Sequence, residues 1–399
     1  MSSPGPLAGL KVVELAHIMA GPVCGRMLAD MGADVIKVER VPHGDPTRGF
    51  VPPVIDGESA AFMMLNRNKR GIAVDLKHED GKDIVRKLLT DADVVIENYR
   101  KGTMERLGLG YESLAAENAG LIYCEISGFG RTGPYADLGG FDLVTQGYSG
   151  LMSITGEGPG RPPIKCGAPI TDITAGLLAV MGVLAAIVER HTTGKGQRVD
   201  TSLLEAGITQ TFWQSAIALA TGVSPAPLGS AHPLAAPYEA FETADGWLTL
   251  GASNEETWRR LPPVLDRPDL LDDPRFTLNK DRMTHRGELA TELAKEFKNR
   301  TTADWLERLA AAGVPAGPVL SIGEMLEHPQ TLAREMIVES EHSVIGSVAS
   351  IGFPVKFSAT PATVRSGPPT LGEHTRDVLE ELGYSEAKIE ALYAAATVR

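Results

Sequence analysis

From Leu10 to Ser127 short β-branched runs alternate with helical periodicity, and a chain patterned this way folds most readily as a parallel sheet covered by helices. Leu10–Leu15 reads as a strand, Pro22–Met31 as a helix stopped by Gly32, and Asp34–Glu39 as the second strand of a βαβ unit. A strand at Ile72–Leu76, a helix at Gly81–Leu89, a strand at Asp93–Glu97, a helical stretch through Glu105 and Glu112, and a strand at Leu121–Ser127 extend the pattern. Five strands predict a doubly wound α/β sheet.

Gly128–Pro169 is so dense in Gly and Pro that it predicts loops rather than regular elements. Beyond Asp172 an apolar helix is expected to about Arg190, with Thr193–Gly196 as its stop, a strand at Arg198–Thr201, and one helix from Leu203 to about Thr221. The Ser-, Pro- and Gly-containing run Gly222–Pro237 is the expected domain boundary. Pro237–Leu320 mixes strand-like and charged helical stretches, as a smaller α+β domain would, and the tail holds helices through Val378–Leu382 and Glu386–Ala394.

At 399 residues and 43% hydrophobic content the chain exceeds one ordinary core, so two domains are expected. The net charge of −13 argues against nucleic acid as a partner. Met1–Leu15 lacks a secretory leader's pattern, and the most apolar run, Ile173–Val188, is broken by Thr and Gly. A buried helix and a cytoplasmic protein without membrane attachment are therefore expected. Cys24, Cys124 and Cys166 are odd in number and lack metal-ligand spacing, so all three are expected as reduced, buried thiols. No metal site is expected.

Several local signals admit both a functional and a plainer explanation. The turn His17-Ile18-Met19-Ala20-Gly21-Pro22 ends a strand and opens a helix, a place where free N–H groups suit an anion or simply turn the chain. Arg40, at the end of the second strand, suits a phosphate or is a solvated charge. The run Asn66-Arg67-Asn68-Lys69-Arg70 with Lys77 could meet phosphates at a sheet edge or be loop charge. Gly251-Ala252-Ser253 follows a strand and could admit a ligand or form a turn. Asp172, just before its helix, reads first as a helix cap whose carboxylate the helix dipole would keep ionised. Serine-hydrolase, Walker-type and zinc-peptidase motifs are absent from the sequence, which leaves carboxylate chemistry or simple binding.

Taken together, VVELAHIMAGPVCGRMLADMGADVIKVER, NRNKRGIAVDLK, VVIENYRKGTMERLGL, GFGRTGPYADLGGFDLVTQG, GAPITDITAGLLAVMGVLAAI, TGKGQRVDTSLLEA and LGEHTRDVLEELGYS make the chain resemble the class III CoA-transferases almost throughout. The resemblance implies a Rossmann-like large domain built from residues 1–222 and 356–399, with linkers and a small α+β domain in 223–355, and an interlocked homodimer. It implies CoA transfer from an acyl-CoA to a small mono- or dicarboxylic acid, a dicarboxylic acceptor being expected, with CoA thioesters as substrates and no permanently bound cofactor. Asp172 would be the nucleophile, passing through an aspartyl anhydride and an aspartyl-CoA thioester. His17, Met19, Ala20, Arg40, Val74, Lys77, Asn98, Tyr99, Arg100 and Arg106 would contact CoA, and Phe141, Gly251, Ala252 and Ser253 the acyl and acceptor groups. Backbone donors for the tetrahedral adducts would come from Met19–Ala20 or from Gly251–Ser253.

Two departures from the family pattern narrow this expectation. Met19 stands where the formyl-CoA enzyme has glutamine, and the acceptor loop reads GASNEET, which argues against strict formyl-CoA:oxalate specificity. The 2-methylacyl-CoA racemases need the histidine of a Gly-His-Asp motif, which here reads Gly140-Phe141-Asp142. An acyl-CoA racemase or isomerase and a non-catalytic CoA-binding protein remain the alternatives.

Overall fold

The computed structural model describes residues 5–399. Six parallel strands form the central sheet: β1 (Lys11–Glu14), β2 (Asp34–Arg40), β3 (Lys69–Val74), β4 (Val94–Glu97), β5 (Ile122–Ser127) and β6 (Arg198–Ser202). Their order is β3-β2-β1-β4-β5-β6, the arrangement of doubly wound dinucleotide-binding sheets. Both faces are apolar because successive residues point to opposite sides. Val12, Val35, Val94 and Ile96 join one core, and Val13, Ile36 and Val95 the other.

Three helices matter for the site: α1 (Ala20–Asp30), α2 (Asp142–Tyr148) and α3 (Ile170–Thr193). Helix α3 buries Ala175, Ala179, Val183 and Ala186 in the first core, and Gly194 ends it at φ +71°, donating its N–H to Arg190 O. By length and a mean hydropathy of 2.0, α3 passes the criterion for a membrane span that the broken run had been expected to miss. Its small residues pack instead on the sheet and on α1. Gly176 makes that packing close: a Cβ there would lie 2.6 Å from Ala20 O and 2.8 Å from Val23 Cβ.

The chain divides into two compact units. One takes the described residues up to Ser149, then Cys166–Gln210 and Pro329–Arg399; the other takes Gly150–Lys165 and Thr211–His328. These divisions fall at other residues than the expected 222 and 355. The expected helix 203–221 is broken into Leu203–Thr209 and Phe212–Thr221, and the first unit resumes at Pro329. The returning segment is tied down by polar contacts. Arg365 donates to Ala29 O in the last turn of α1 and to Gly32 O and Ala33 O just past it, and the N–H groups of Arg365 and Ser366 donate to Asn68 Oδ1. Helices Thr375–Glu381 and Glu386–Ala394 then bury Val378, Leu379, Ile389 and Leu392 in the second core.

The second unit has a three-stranded antiparallel sheet of Tyr238–Glu242, Trp247–Gly251 and Ala316–Pro318. Phe241, Trp258, Phe276, Phe297 and Trp305 fill its core.

Three further expectations change. β3 starts at Lys69, three residues before the apolar run, because Lys69 is buried within the sheet region. The Gly- and Pro-rich segment holds the short helices Asp142–Tyr148 and Leu151–Ile154. Cys24 and Cys124 are buried thiols, whereas Cys166 is half-buried.

Candidate active site

A cleft of about 420 Å³ opens where β1, β4 and β5 end. The chain leaves β1 toward one edge of the sheet and β4 toward the other, so the loops after them diverge and leave a crevice. His17, Ile18, Met19 and Ala20 line it from the β1–α1 turn, and Asn98, Tyr99, Arg100, Lys101 and Arg106 from beyond β4. Arg131, Phe141 and Asp172 close it. The segment after β5 turns back sharply where Gly128 and Gly140 touch backbone to backbone. A Cβ on Gly128 would sit 2.6 Å from Gly140 Cα. This contact delivers Phe141, which is 69% exposed, to the rim.

Asp172 lies in the first turn of α3 and does not cap it. That role belongs to Asp142, whose Oδ1 accepts the Thr171 N–H at 3.0 Å and the Thr171 hydroxyl at 2.8 Å. Asp142 Oδ2 also accepts from Gln146 Nε2 at 2.7 Å. No hydrogen bond reaches the Asp172 carboxylate among the described residues. Burial, then the nearby charge of Asp142, push the Asp172 carboxyl up to about 7. This upward shift runs against the expectation that the helix dipole would keep the carboxylate ionised.

Helix α1 starts without a side-chain cap, and the N–H groups of Met19 and Ala20 have no acceptor among the described residues. The His17 ring lies 5.5 Å from that of Tyr99, centroid to centroid. Burial lowers the His17 pKa and raises that of Tyr99 to about 12, so both are neutral near pH 7. Arg100, Lys101 and Arg106 are exposed and form no ion pair among the described residues. They give an acidic protein a local cationic wall. Arg131 is already engaged: it pairs with Glu97 and Glu125 and donates to Tyr99 O at 3.0 Å.

Not every expected site residue lines this cleft. Arg40 lines a smaller adjoining cavity of about 100 Å³ that shares His17 and Tyr99. Val74 and Lys77 line neither: Val74 is buried and bridges Val398, and Lys77 is exposed past the end of β3. The basic run is engaged elsewhere, Arg67 with Asp30, Lys69 with Glu14 and Arg70 with Asp34 and Glu381. Gly251, Ala252 and Ser253 belong to the second unit. The Gly251 and Ala252 N–H groups donate to Pro315 O and Pro237 O, so they are not the free donors expected of that loop. Sequence reasoning missed Asp142, Lys101 and Arg131, and only Asp142 had a pointer, its place in the Gly-Phe-Asp motif.

Residues 7–375 match the family model described as CoA-transferase family III. The chain belongs to this family. The class III CoA-transferase is 43% identical over 383 residues to succinate–glutarate CoA-transferase of Agrobacterium fabrum, covering 94% of this chain and 96% of that one. It is 36% identical over 399 residues to human succinyl-CoA:glutarate CoA-transferase, covering 100% of this chain and 91% of the relative. Among solved structures, a CAIB/BAIF family protein from Brucella suis superposes with a TM-score of 0.84 at 41% identity, over 95% of this chain and all of that one. CoA thioesters are thus the substrates of this CoA-transferase.

Proposed function

We propose that the protein transfers coenzyme A from a dicarboxylic acyl-CoA, such as a succinyl thioester, to a second small dicarboxylic acid, with Asp172 as the nucleophile. The observation that carries this reading is the Asp172 carboxyl itself, in the cleft and without a hydrogen-bond partner. Two of the relatives above carry names that specify succinate or succinyl-CoA together with glutarate, which supports the dicarboxylate class.

In the proposed sequence an Asp172 oxygen attacks the thioester carbonyl and expels CoA thiolate, leaving a mixed anhydride. The thiolate then attacks the aspartyl carbonyl, releasing the donor acid and forming an aspartyl-CoA thioester. The acceptor carboxylate attacks this thioester, again freeing thiolate. Attack of that thiolate on the acceptor's acyl carbon gives the new CoA ester and returns the Asp172 carboxylate. Each tetrahedral adduct develops an oxyanion, and the Met19 and Ala20 N–H groups are the unengaged donors at hand.

Phe141 offers no second base, which counts against racemisation. A second copy of the chain is the proposed partner. Helix α3 exposes Leu177, Met181 and Val188, while helix Phe212–Thr221 has no buried residue and exposes Phe212, Trp213 and Leu219.

The test is hydroxylamine trapping. Protein incubated with succinyl-CoA, treated with hydroxylamine and digested should carry a hydroxamate on Asp172, found by peptide mass spectrometry. An unmodified Asp172 in protein that turns over would overturn the nucleophile assignment.

A further inference from the structure

Ile18 has φ +68°, in a region that β-branched residues avoid because Cβ crowds the backbone. Such a residue keeps this conformation only where its surroundings over-determine it. Here two side chains grip the turn. Asn98, just past β4, accepts the His17 N–H on Oδ1 at 3.0 Å and donates through Nδ2 to His17 O at 2.8 Å. Both ends of one residue's backbone are thereby held by one amide. Asp45 accepts the Ile18 N–H at 3.2 Å on Oδ1 and 3.3 Å on Oδ2.

Asp45 is itself immobilised. Its Oδ2 meets Lys37 Nζ at 2.9 Å, and its Oδ1 accepts from the Thr47 N–H and hydroxyl. Lys37 is fully buried and also donates to Glu14 Oε1 and Ala16 O, both at 2.9 Å, while Glu14 Oε2 lies 2.7 Å from Lys69 Nζ. A buried ion cluster contributes little net stability over well-packed apolar side chains, because desolvation offsets its attraction. What apolar residues could not supply is a fixed acceptor for the Ile18 N–H.

We propose that Asn98 and Asp45 are positioning residues that hold Ile18 left-handed and so fix Met19 and Ala20 in the cleft that Asp172 lines. The turn needs both contacts. Without them the Ile18 backbone relaxes toward the extended region and carries the Met19 and Ala20 N–H groups away from their places. A displacement of about 1 Å in such groups costs on the order of 100-fold in rate. The inference rests on Asp172 as the nucleophile facing those groups, which Asp172→Asn, measured alongside, tests separately.

The experiment compares Asn98→Ala, Ile18→Gly/Asn98→Ala and wild type in CoA transfer from succinyl-CoA to glutarate, reading kcat and KM apart, with thermal midpoints recorded. Asn98→Ala is expected to lose about 100-fold in kcat with little change in the KM for succinyl-CoA. Adding Ile18→Gly is expected to recover about tenfold of that loss, because glycine reaches φ +68° without a clamp. A rise in KM with kcat unchanged would make Asn98 a ligand contact and overturn the proposal, as would a kcat loss that Ile18→Gly does not recover. Should Asn98→Ala fail to fold, Asn98→Asp keeps the acceptor for the His17 N–H but replaces the donor to His17 O with a charged oxygen. It is read against the same outcomes.

Discussion

Asp142 Oδ1 binds the Thr171 N–H and hydroxyl and so places one carboxylate next to the residue that precedes the Asp172 carboxyl. The two acids divide the labour at the start of α3. Asp142 satisfies the helix, and Asp172 is left unbonded in the cleft with its pKa raised to about 7 by burial and by Asp142.

Removing the Asp142 charge should therefore make Asp172 more acidic. Asp142→Asn retains an oxygen acceptor for Thr171 but no longer repels a second negative charge. The acid limb of kcat/KM against pH is expected near 7 in wild type and at lower pH in the variant. Asp142→Ala should in addition cost about 1 kcal/mol of stability through the lost helix cap. An acid limb unmoved by Asp142→Asn would show that this charge is not felt at Asp172.

Asp172→Asn should abolish CoA transfer and raise stability at neutral pH. In the folded protein the Asp172 carboxyl titrates near 7, against about 3.9 in an unfolded chain. Between these values the folded state holds a proton that the unfolded state has released, so this group's contribution to stability falls as pH rises through that window. The variant lacks that loss. Its thermal midpoint should match wild type near pH 4 and exceed it at pH 8, and calorimetry at the two pH values checks the sign.

Gly176 sets the distance between the helix that carries Asp172 and the β1–α1 turn. In Gly176→Ala the new methyl would meet Ala20 O and Val23, and relief requires α3 to move off α1. Overpacking of this kind costs roughly 1–3 kcal/mol. The same movement separates Asp172 from Met19 and Ala20, so kcat should fall while the KM for succinyl-CoA changes little. Retention of wild-type kcat with a lowered thermal midpoint would confine Gly176 to a packing role.

The strand and helix order was legible because it follows from local periodicity, and the strands at Leu10–Leu15, Asp34–Glu39 and Leu121–Ser127 were expected within a residue or two of where they lie. The polar interior was not. Lys37 drew no separate reading within its strand and Lys69 read as a phosphate contact or loop charge, yet both lie buried on Glu14, a partner that only β1, β2 and β3 side by side bring near. The cap on α3 was likewise illegible, since the capping residue comes from another helix and not from the preceding position. Asp172 entered through family resemblance, and its raised pKa required knowledge of what surrounds it. Ile18 carried no signal, because backbone strain is a property of the folded turn.

The cationic wall offers the last test. Arg100, Lys101 and Arg106 have no carboxylate partner among the described residues, so replacing one should weaken binding of an anionic ligand without disturbing an internal ion pair. Lys101→Gln and Arg106→Gln should each raise the KM for succinyl-CoA, by about tenfold where the lost contact is worth about 1.4 kcal/mol, with kcat nearly unchanged. Because these side chains are exposed, salt screens them, and the wild-type KM should rise with ionic strength more steeply than that of either variant. The acceptor acid supplies the contrast. If the wall holds CoA phosphates, the KM for glutarate stays constant across these variants, whereas a parallel rise for both substrates would place the acceptor carboxylate on the same cations.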